Sequence, residues 1–440
     1  MSIVSKIYAR EILDSRGNPA VEVDVTLDDG TMGRASVPSG ASTGAHEVVE
    51  LRDGDKQRYN GLGVRTALRK IACEIAPHIM GMDPQNQSEI DSILSSLDGT
   101  PNLSRLGGNA ILGISMAVAH AESSRVGVPL YRQLSNGLST VLPVPMFNIL
   151  NGGRHAKNST DVQEFMVVPA GFETLSQAVQ AGVEIYHVLK YLLDKNGLGT
   201  NIGDEGGFAP SVNTNREGLD LLLQAIETAG YLPGEQCFIA MDIAATELLT
   251  EDGKYSLTRE SEILTAHELI SLYTEWTDAY PIISIEDGMG EDDWEGWSEL
   301  TRQLGNRVQL VGDDLFATNP TRIRTGIKKN ACTAALIKMN QIGTITKTLE
   351  AIRTTKDAGW ATVVSHRSGE TEDTTIADLA VGTSVGQIKA GAPCRGERTA
   401  KYNRLLRIEE GLGNNAEYAG LSVYNSILNY QPTESLTDKT

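Results

Sequence analysis

Six apolar runs in the second half of the chain each end in a charged residue. Those ends are Asp242, Glu286, Asp313, Lys338, His366 with Arg367, and Lys389. The last five follow one another at intervals of roughly 25 residues, about the length of a strand plus a covering helix. Because the strands of a (β/α) barrel end on one face, where active sites lie, the spacing predicts that these charges converge on one mouth. Such an array can hold a hard cation together with a doubly negative substrate.

Asp242, Glu286 and Asp313 are the candidate metal ligands. Carboxylate oxygens suit Mg²⁺, which takes oxygen ligands in octahedral geometry and keeps waters that a substrate can displace. The alternative is that each acid caps the helix that follows its strand. Three such acids in succession, in a run that later supplies cations, favour the metal site.

Lys338 and the His366-Arg367-Ser368 group complete the predicted mouth. Nearby cations, Mg²⁺ and Lys389, would favour a neutral Lys338, which could then abstract a proton. Arg367 can bind phosphate bidentately, and Ser368 adds a hydroxyl donor. A salt-bridged lysine and solvated loop residues are the alternatives, and these segments alone leave them open.

The pentapeptide GDEGG places Asp204 and Glu205 between glycines, which let a ligand approach the backbone closely. A plain turn is the alternative. If Glu164, in the segment QEFM, lies nearby, like-charge repulsion drives one carboxyl group to keep its proton. A protonated glutamate is a general acid.

Two loops rich in glycine and polar residues, 39–47 and 151–158, have the composition of mobile lids. Closure of such a loop excludes water from a reactive intermediate, and His155 lies within the second loop. The first loop lacks the GK[ST] ending of a phosphate-binding P-loop. An ordinary surface loop is the alternative for both.

The segments that must position these residues are predicted to form two domains and a short tail. Residues 1–135 are predicted to form an α+β capping domain, with alternating strands, a DDG hairpin turn and three helical patterns. Beyond the junction LPVPMFNILNGG, strand and helix patterns alternate about eight times, which predicts parallel strands in a TIM-like (β/α)8 barrel over 136–430. An open doubly wound sheet is the alternative, but no GxGxxG follows the first strand. Residues 431–440 form a polar tail.

Composition limits the possible functions. The 440 residues carry a net charge of −19, and the pI is about 4.9. This charge argues against nucleic-acid binding, which needs a basic surface. The four cysteines are scattered without a CxxC pair, so neither a disulfide framework nor a zinc cluster is expected. With no signal peptide and no stretch of ~20 apolar residues, we expect a cytoplasmic protein without membrane insertion.

Several motifs, taken together and in order, make the chain resemble the enolase family. They include YAREILDSRGNPAVEVDV, SGASTG, QEFM, GDEGGFAP, KMNQIGT, SHRSGETED and QIKAGAP. The resemblance covers nearly the whole chain. It implies an enolase-type barrel with a smaller capping domain, which reversibly dehydrates 2-phosphoglycerate to phosphoenolpyruvate in glycolysis. It also implies two Mg²⁺ ions, one tightly bound and one that comes with substrate, and a homodimer or higher oligomer.

The resemblance implies roles for residues at matching positions. Asp242, Glu286 and Asp313 would bind the tightly held Mg²⁺, and Ser42 would join the second ion. Lys338 would be the base that removes the α-proton of the substrate.

Glu205 would be the acid that helps hydroxide to leave from carbon 3. The remaining predicted residues would lie around the substrate: His155, Gln163, Glu164, Glu286, Asp313, His366, Arg367, Ser368 and Lys389. Among them, Lys389 would face the substrate carboxylate, and Arg367 with Ser368 would bind its phosphate.

The chain departs from the family pattern at Gly288, Leu62 and the pair Leu248 and Leu249, none of which is a chemical group of the site. One alternative is an enolase-superfamily enzyme that acts on a different carboxylate, but the phosphate-site motif SHRSGE argues against it. A catalytically idle binding protein is another, but the base, the acid and the acidic ligands are all retained. A cell-surface or secreted pool is implied by the resemblance alone.

Overall fold

The computed structural model describes residues 2–40, 44–135, 137, 140–156 and 158–428. Ser42 and the predicted tail at 431–440 lie outside the described residues. The boundaries predicted for the two domains remain predictions.

The chain begins with a three-stranded antiparallel sheet in the order β1-β2-β3. Its strands are β1 (Val4–Leu13), β2 (Pro19–Leu27) and β3 (Met32–Ser36). The predicted hairpin turn lies between β2 and β3, where Gly30 takes a φ of +87° that suits glycine. The helices that follow are α1 (Arg65–Lys70), α2 (Ala76–Ile79), α3 (Gln87–Asp98), α4 (Gly108–Val126) and α5 (Leu130–Leu134).

Helix α4 covers one face of this sheet. It is buried along most of its length, because the sheet packs on it from one side and the barrel helices α11 (Met339–Ile342) and α12 (Ile345–Asp357) pack on it from another. Gly33 in β3 allows the closest approach, since a Cβ there would lie 2.1 Å from the backbone nitrogen of Ala121. The helix therefore joins the small sheet to the rest of the molecule.

The larger part of the chain is a closed eight-stranded barrel. Its strands are β5 (Val144–Asn151), β6 (Glu164–Val168), β7 (Phe238–Asp242), β10 (Ile282–Glu286), β11 (Gln309–Gly312), β12 (Ala334–Ile337), β13 (Ala361–Ser365) and β14 (Gln387–Lys389). Four short strands lie outside it: β4 (Val141–Leu142) pairs with β15 (Glu417–Tyr418), and β8 (Tyr255–Leu257) pairs with β9 (Glu262–Leu264). The predicted α/β barrel is confirmed.

Strand β6 runs antiparallel to both of its neighbours, so the prediction that all barrel strands are parallel is wrong at this strand. The connection from β5 to β6, residues 152–163, contains one 3-10 turn at Gly153–His155 and no α-helix among its described residues. A parallel return usually crosses over through an α-helix, and this connection is only twelve residues long and has no such helix among its described residues. As a consequence Glu164, the first residue of β6, pairs with Asp242, the last residue of β7.

The antiparallel strand also changes where the following loop lies. Two helices in succession, α6 (Leu175–Lys195) and α7 (Asn215–Thr228), connect β6 to β7. Because β6 leaves the mouth, α6 returns toward it, and the loop between the helices, which carries Glu205, reaches the carboxyl ends of the other strands. Phe208 in this loop forms a parallel bridge with Leu150 at the end of β5.

Most of the remaining helices lie between successive barrel strands along the chain, and the last two follow the final barrel strand, β14. They are α8 (Ala266–Ala279), α9 (Trp294–Leu304), α10 (Pro320–Lys329), α13 (Thr375–Gly382), α14 (Gly396–Leu412) and α15 (Asn425–Leu428). Inside the barrel, Val144, Met166, Val311, Leu336 and Val363 belong to one buried apolar cluster. The interior is thus a packed core.

The N-terminal part docks beside the mouth of the barrel. Ser39 and Gly369 exchange two backbone hydrogen bonds of 2.8 and 2.9 Å, and Ser15 N donates to the carbonyl oxygen of Glu370 at 2.7 Å. A Cβ on Gly369 would lie 2.5 Å from Arg16 Nη2, so glycine permits this close contact. The segment SHRSGE is therefore held from both sides.

Candidate active site

The charged strand ends surround one cavity of about 430 Å³. It is lined by His155, Gln163, Glu164, Glu205, Asp242, Ala244, Asp287, Asp313, Asp314, Lys338, Ser365, His366, Arg367, Ser368 and Lys389. The structure therefore brings together all the predicted site residues that it describes. Glu286 does not line the cavity itself but is buried and bonds to Lys389, and Ser42 lies outside the described residues.

The ammonium groups of Lys389, which is buried, and Lys338, which is half-buried, each contact different acidic residues. Lys389 Nζ lies 2.9 Å from Glu286 Oε1, 3.2 Å from Asp242 Oδ2 and 3.1 Å from Glu164 Oε2. Lys338 donates to Asp313 Oδ2. Burial opposes the charge of Lys389, but its three carboxylate neighbours outweigh burial and raise its pKa well above the usual value. Both lysines thus compensate the charge of largely buried carboxylates.

The acidic trio fits an oxygen-coordinated divalent cation. Asp242, Glu286 and Asp313 come from three neighbouring strands, β7, β10 and β11. Glu286 Oε2 is buried and accepts no hydrogen bond from the residues that the structure describes. A buried carboxylate oxygen without a donor is costly, and coordination of a hard cation such as Mg²⁺ would satisfy it. These residues therefore suit such an ion.

Asp287, which was not among the site residues predicted from the sequence, shapes the turn that carries Asp313. Asp287 has a positive φ of 44°, and its carboxylate accepts from the backbone nitrogens of Asp313 and Asp314 at 2.8 and 2.9 Å. One oxygen of each of these three aspartates lies within 4.8 Å of the others. Burial and this crowding raise the pKa of Asp287 well above its usual value and that of Asp314 to about 8. In the sequence, the acidic pairs Glu286-Asp287 and Asp313-Asp314 are the signal that could have indicated this cluster.

The contact with Asp313 favours the charged form of Lys338, and the neutral amine predicted from the sequence, which depends on nearby Mg²⁺ and Lys389, remains a prediction. Burial would lower the pKa of Lys338, but the contact with Asp313 outweighs it and raises that pKa. Asp313 is itself fixed by Gln341 Nε2, which donates to its Oδ1 at 2.9 Å. The protonation of the lysine therefore depends on what else Asp313 binds.

Glu164 and Glu205 repel each other as predicted, and the surroundings favour the protonated form on Glu164 rather than on Glu205. Burial, reinforced by Glu205, raises the pKa of Glu164 well above its usual value. Burial would also raise the pKa of Glu205, but His366, His155 and Arg398 outweigh it and lower that pKa well below the usual value. Asn148 Nδ2 adds a hydrogen bond of 2.9 Å to Glu205 Oε2.

A fully buried arginine, also missed from the sequence, sets the tautomer of His366. Arg398 Nη1 lies 2.6 Å from His366 Nδ1, and because arginine only donates, that ring nitrogen must accept. The neutral imidazole then carries its hydrogen on Nε2, which lies 3.1 Å from Glu205 Oε2. Burial, with Arg398, lowers the pKa of His366 to about 4, which agrees with a neutral ring.

Arg398 also fixes the loop that carries Arg367 and Ser368. It donates to the carbonyl oxygens of both residues at 2.6 Å. Glu370 Oε1 accepts from Arg367 N at 3.0 Å, and Lys401 Nζ donates to Glu370 Oε2 at 2.9 Å. The candidate anion-binding residues are therefore built into a network of buried charges.

His155 lies between the two glutamates without bonding to either. Its Nδ1 is 3.7 Å from Glu164 Oε1, and its Nε2 is 3.8 Å from Glu205 Oε1. Burial lowers the pKa of His155. Gln163 Nε2, in the same corner, donates to Asp242 Oδ2 at 3.2 Å.

The fold and the cavity define an α/β-barrel enzyme whose mouth combines acidic groups suited to a divalent cation with a lysine base candidate and a carboxyl pair. The sequence matches two family models over nearly its whole length: "Enolase, N-terminal domain" over residues 4–134 and "Enolase, C-terminal TIM barrel domain" over residues 139–427.

The chain belongs to the enolase family, and the resemblance found in its sequence is confirmed. Membership supports an enolase-type hydratase, a lyase that uses a divalent metal ion. Among the residues that the structure describes, no helix is long and apolar enough to cross a membrane.

Proposed function

We propose that this protein interconverts 2-phosphoglycerate and phosphoenolpyruvate by loss and addition of water, with two Mg²⁺ ions. The observation that carries the proposal is the opposition of a lysine and a glutamate pair across the mouth. Lys338 follows β12 and Glu164 begins β6, and the closed strand order places these strands four positions apart in either direction. A base and an acid on opposite sides of a substrate suit the loss of a proton from one carbon and hydroxide from the next.

The charges of the mouth suit this reaction. Removal of a proton next to a carboxylate creates a doubly charged enolate, and bound Mg²⁺ would stabilise that charge. Asp242, Glu286 and Asp313 would hold the first ion, and Ser42 would join the second. Lys389 would face the substrate carboxylate.

Lys338 must lose its proton to act as the base. The carboxylate of Asp313 favours the charged form of Lys338. If Asp313 instead coordinates a metal ion, its negative charge is compensated there and no longer favours the ammonium form of Lys338. Burial and the positive charges of Arg367 and Lys389, all of which lower the pKa of Lys338, then favour the neutral amine.

The acid side uses the proton that Glu164 retains. We assign the acid role to Glu205, which an anionic substrate beside it would make easier to protonate. Glu164, as the neighbouring protonated carboxyl, supplies that proton, and Asn148 together with His366 keeps Glu205 oriented. Arg367 and Ser368 bind the phosphate.

The proposal extends to the setting of the protein. We propose a cytoplasmic enzyme that forms a homodimer or a higher homo-oligomer and acts in glycolysis. The four free cysteines suit a reducing compartment. Light scattering coupled to gel filtration measures the oligomeric state.

The decisive experiment follows the ultraviolet absorbance of phosphoenolpyruvate after addition of 2-phosphoglycerate. Absorbance should increase in the presence of Mg²⁺. The increase should stop when a chelator is added and resume when Mg²⁺ is restored in excess. No Mg²⁺-dependent rise would refute the proposed reaction. Turnover of a non-phosphorylated hydroxy acid in its place would favour the alternative within the superfamily.

A further inference from the structure

The guanidinium of Arg367 is held by a carboxylate from the N-terminal part of the chain. Nη1 and Nη2 of Arg367 donate to Oε2 and Oε1 of Glu47 at 2.8 and 3.1 Å. Nη1 also donates to Asn340 Oδ1 at 3.0 Å. The side chains of Arg367 and Glu47 are only 4% and 6% exposed, so this forked ion pair is buried.

Two donors hold the Glu47 carboxylate in place. Gly44 N donates to Glu47 Oε1 at 3.1 Å, and Gln341 Nε2 approaches the same oxygen at 3.4 Å. Gln341 also donates to Asp313 Oδ1 at 2.9 Å. A continuous set of contacts thus joins the first lid-like segment, the guanidinium and a candidate metal ligand.

The physical need for such a partner follows from the local charge. Burial opposes the charge of the Arg367 guanidinium, and Glu47 is the foremost of the carboxylates that outweigh burial and raise its pKa. A fork of two parallel hydrogen bonds fixes the plane of a guanidinium, which a single acceptor does not.

We propose that Glu47 is a positioning residue that fixes the plane of the Arg367 guanidinium so that this group binds the phosphate of the substrate. The inference rests on the function proposed above. Glu47 acts through Arg367 and stays bonded to it while the phosphate binds. The opposite possibility, that Glu47 competes with the phosphate for Arg367, predicts the opposite sign in the test below.

Calorimetric titration of inorganic phosphate into the Mg²⁺-loaded protein tests the proposal. In Glu47→Gln one acceptor oxygen replaces two, and the fork is lost. We expect phosphate to bind about tenfold more weakly, about 1.4 kcal/mol, and KM for 2-phosphoglycerate to rise similarly with little change in kcat. Asn340→Ala, which removes the other acceptor of Nη1, should give a smaller loss and serves if Glu47→Gln does not fold.

A double-mutant cycle separates positioning from general loosening. In an Arg367→Lys background, Glu47→Gln should cause no further loss, because an ammonium has no plane to fix. The matched control is Glu291→Gln, since Glu291 Oε2 accepts from Ala45 N at 3.1 Å and anchors the same segment without touching Arg367. This control should bind phosphate as the wild type does.

Several results would overturn the proposal: unchanged or tighter phosphate binding in Glu47→Gln, an equal loss in the lysine background, an equal loss in Glu291→Gln, or no phosphate binding by the wild type. The titration needs no turnover. Phosphate binding that depends on Glu47, in a protein that does not convert 2-phosphoglycerate, would therefore refute the proposed reaction while sustaining the positioning role.

Discussion

Replacement of Lys389 by methionine tests whether the mouth of the barrel is built around a cation. The Lys389 side chain is 2% exposed, and its Nζ bonds to Asp242 and Glu286 and lies 3.1 Å from Glu164 Oε2. Methionine keeps much of the stem and leaves these three acidic side chains without their shared partner. Removal of one member of a buried ion pair costs about 3–5 kcal/mol, so we expect at least that loss in the metal-free protein. The Tm should fall by roughly 2–4 °C for each kcal/mol.

The assay is thermal unfolding followed by circular dichroism, with a chelator and then with excess Mg²⁺. A cation that binds only the folded state raises its stability by RT ln(1 + [L]/Kd). Without the competing ammonium, the carboxylates should bind Mg²⁺ more tightly, so Mg²⁺ should raise the Tm of Lys389→Met more than that of the wild type. The variant should still lack activity, because the proposed partner of the substrate carboxylate is gone.

Lys401→Met is the matched control. Lys401 is 1% exposed and pairs with the single carboxylate of Glu370 at 2.9 Å, away from the acidic trio. Its loss should also lower the Tm, but Mg²⁺ should not restore the difference. If Lys389→Met is as stable as the wild type in chelator, or if Mg²⁺ raises both Tm values equally, the mouth is not organised around a cation.

Three further substitutions test other parts of the molecule. Lys338→Ala removes the proposed base and should abolish both dehydration and exchange of the substrate α-proton with deuterium, measured by NMR. Glu205→Gln should spare the exchange and block dehydration, and equal loss of both steps would contradict the separate roles. At Asp24, hydrogen bonds from Arg34 and Arg10 outweigh burial and lower the pKa from 3.8 to about 2. Its stabilisation is therefore present above pH 3.8 and lost as the pH falls through about 2, and Asp24→Asn should make acid unfolding, followed by circular dichroism, less dependent on pH in that range.

The strand-end charges were predictable because each lies at a fixed position relative to an apolar run. Asp242, Glu286 and Lys389 end their strands, so a period of strand plus helix was enough to place them on one face. The direction of β6 was not predictable from the same rhythm. A run such as EFMVV is equally compatible with either direction. Only the connection before it, 152–163, argues for an antiparallel return, because it is at the lower length limit for a parallel crossover and has no α-helix among its described residues.

Arg398 and Asp287, which hold the site residues in place, were harder to predict because they do not lie at a regular position relative to an apolar run. Arg398 lies near the start of α14, where a charged residue is ordinary, yet it is fully buried against His366 and three carbonyl groups. Asp287 acts through the backbone of Asp313 and Asp314. Protonation was also beyond the sequence, since the state of Glu164 and Lys338 depends on which carboxylate lies nearest in space.

The two ends of the barrel show that the charged mouth is not there for stability. At the opposite end, Gln309 and Gln387 bond to each other at 3.0 and 2.9 Å, and Tyr424 donates to Gln387 Oε1 at 2.9 Å. Neutral polar groups thus pair with one another at that end, beside the apolar side chains of the barrel core. A buried ion cluster is at best a weak source of stability, and well-packed apolar residues often replace one without loss. Neutral and apolar side chains could therefore have filled the mouth of the same barrel, as they fill its opposite end. That carboxylates and ammonium groups are buried there instead indicates that binding and proton transfer, rather than folding, determine which residues stand at the strand ends.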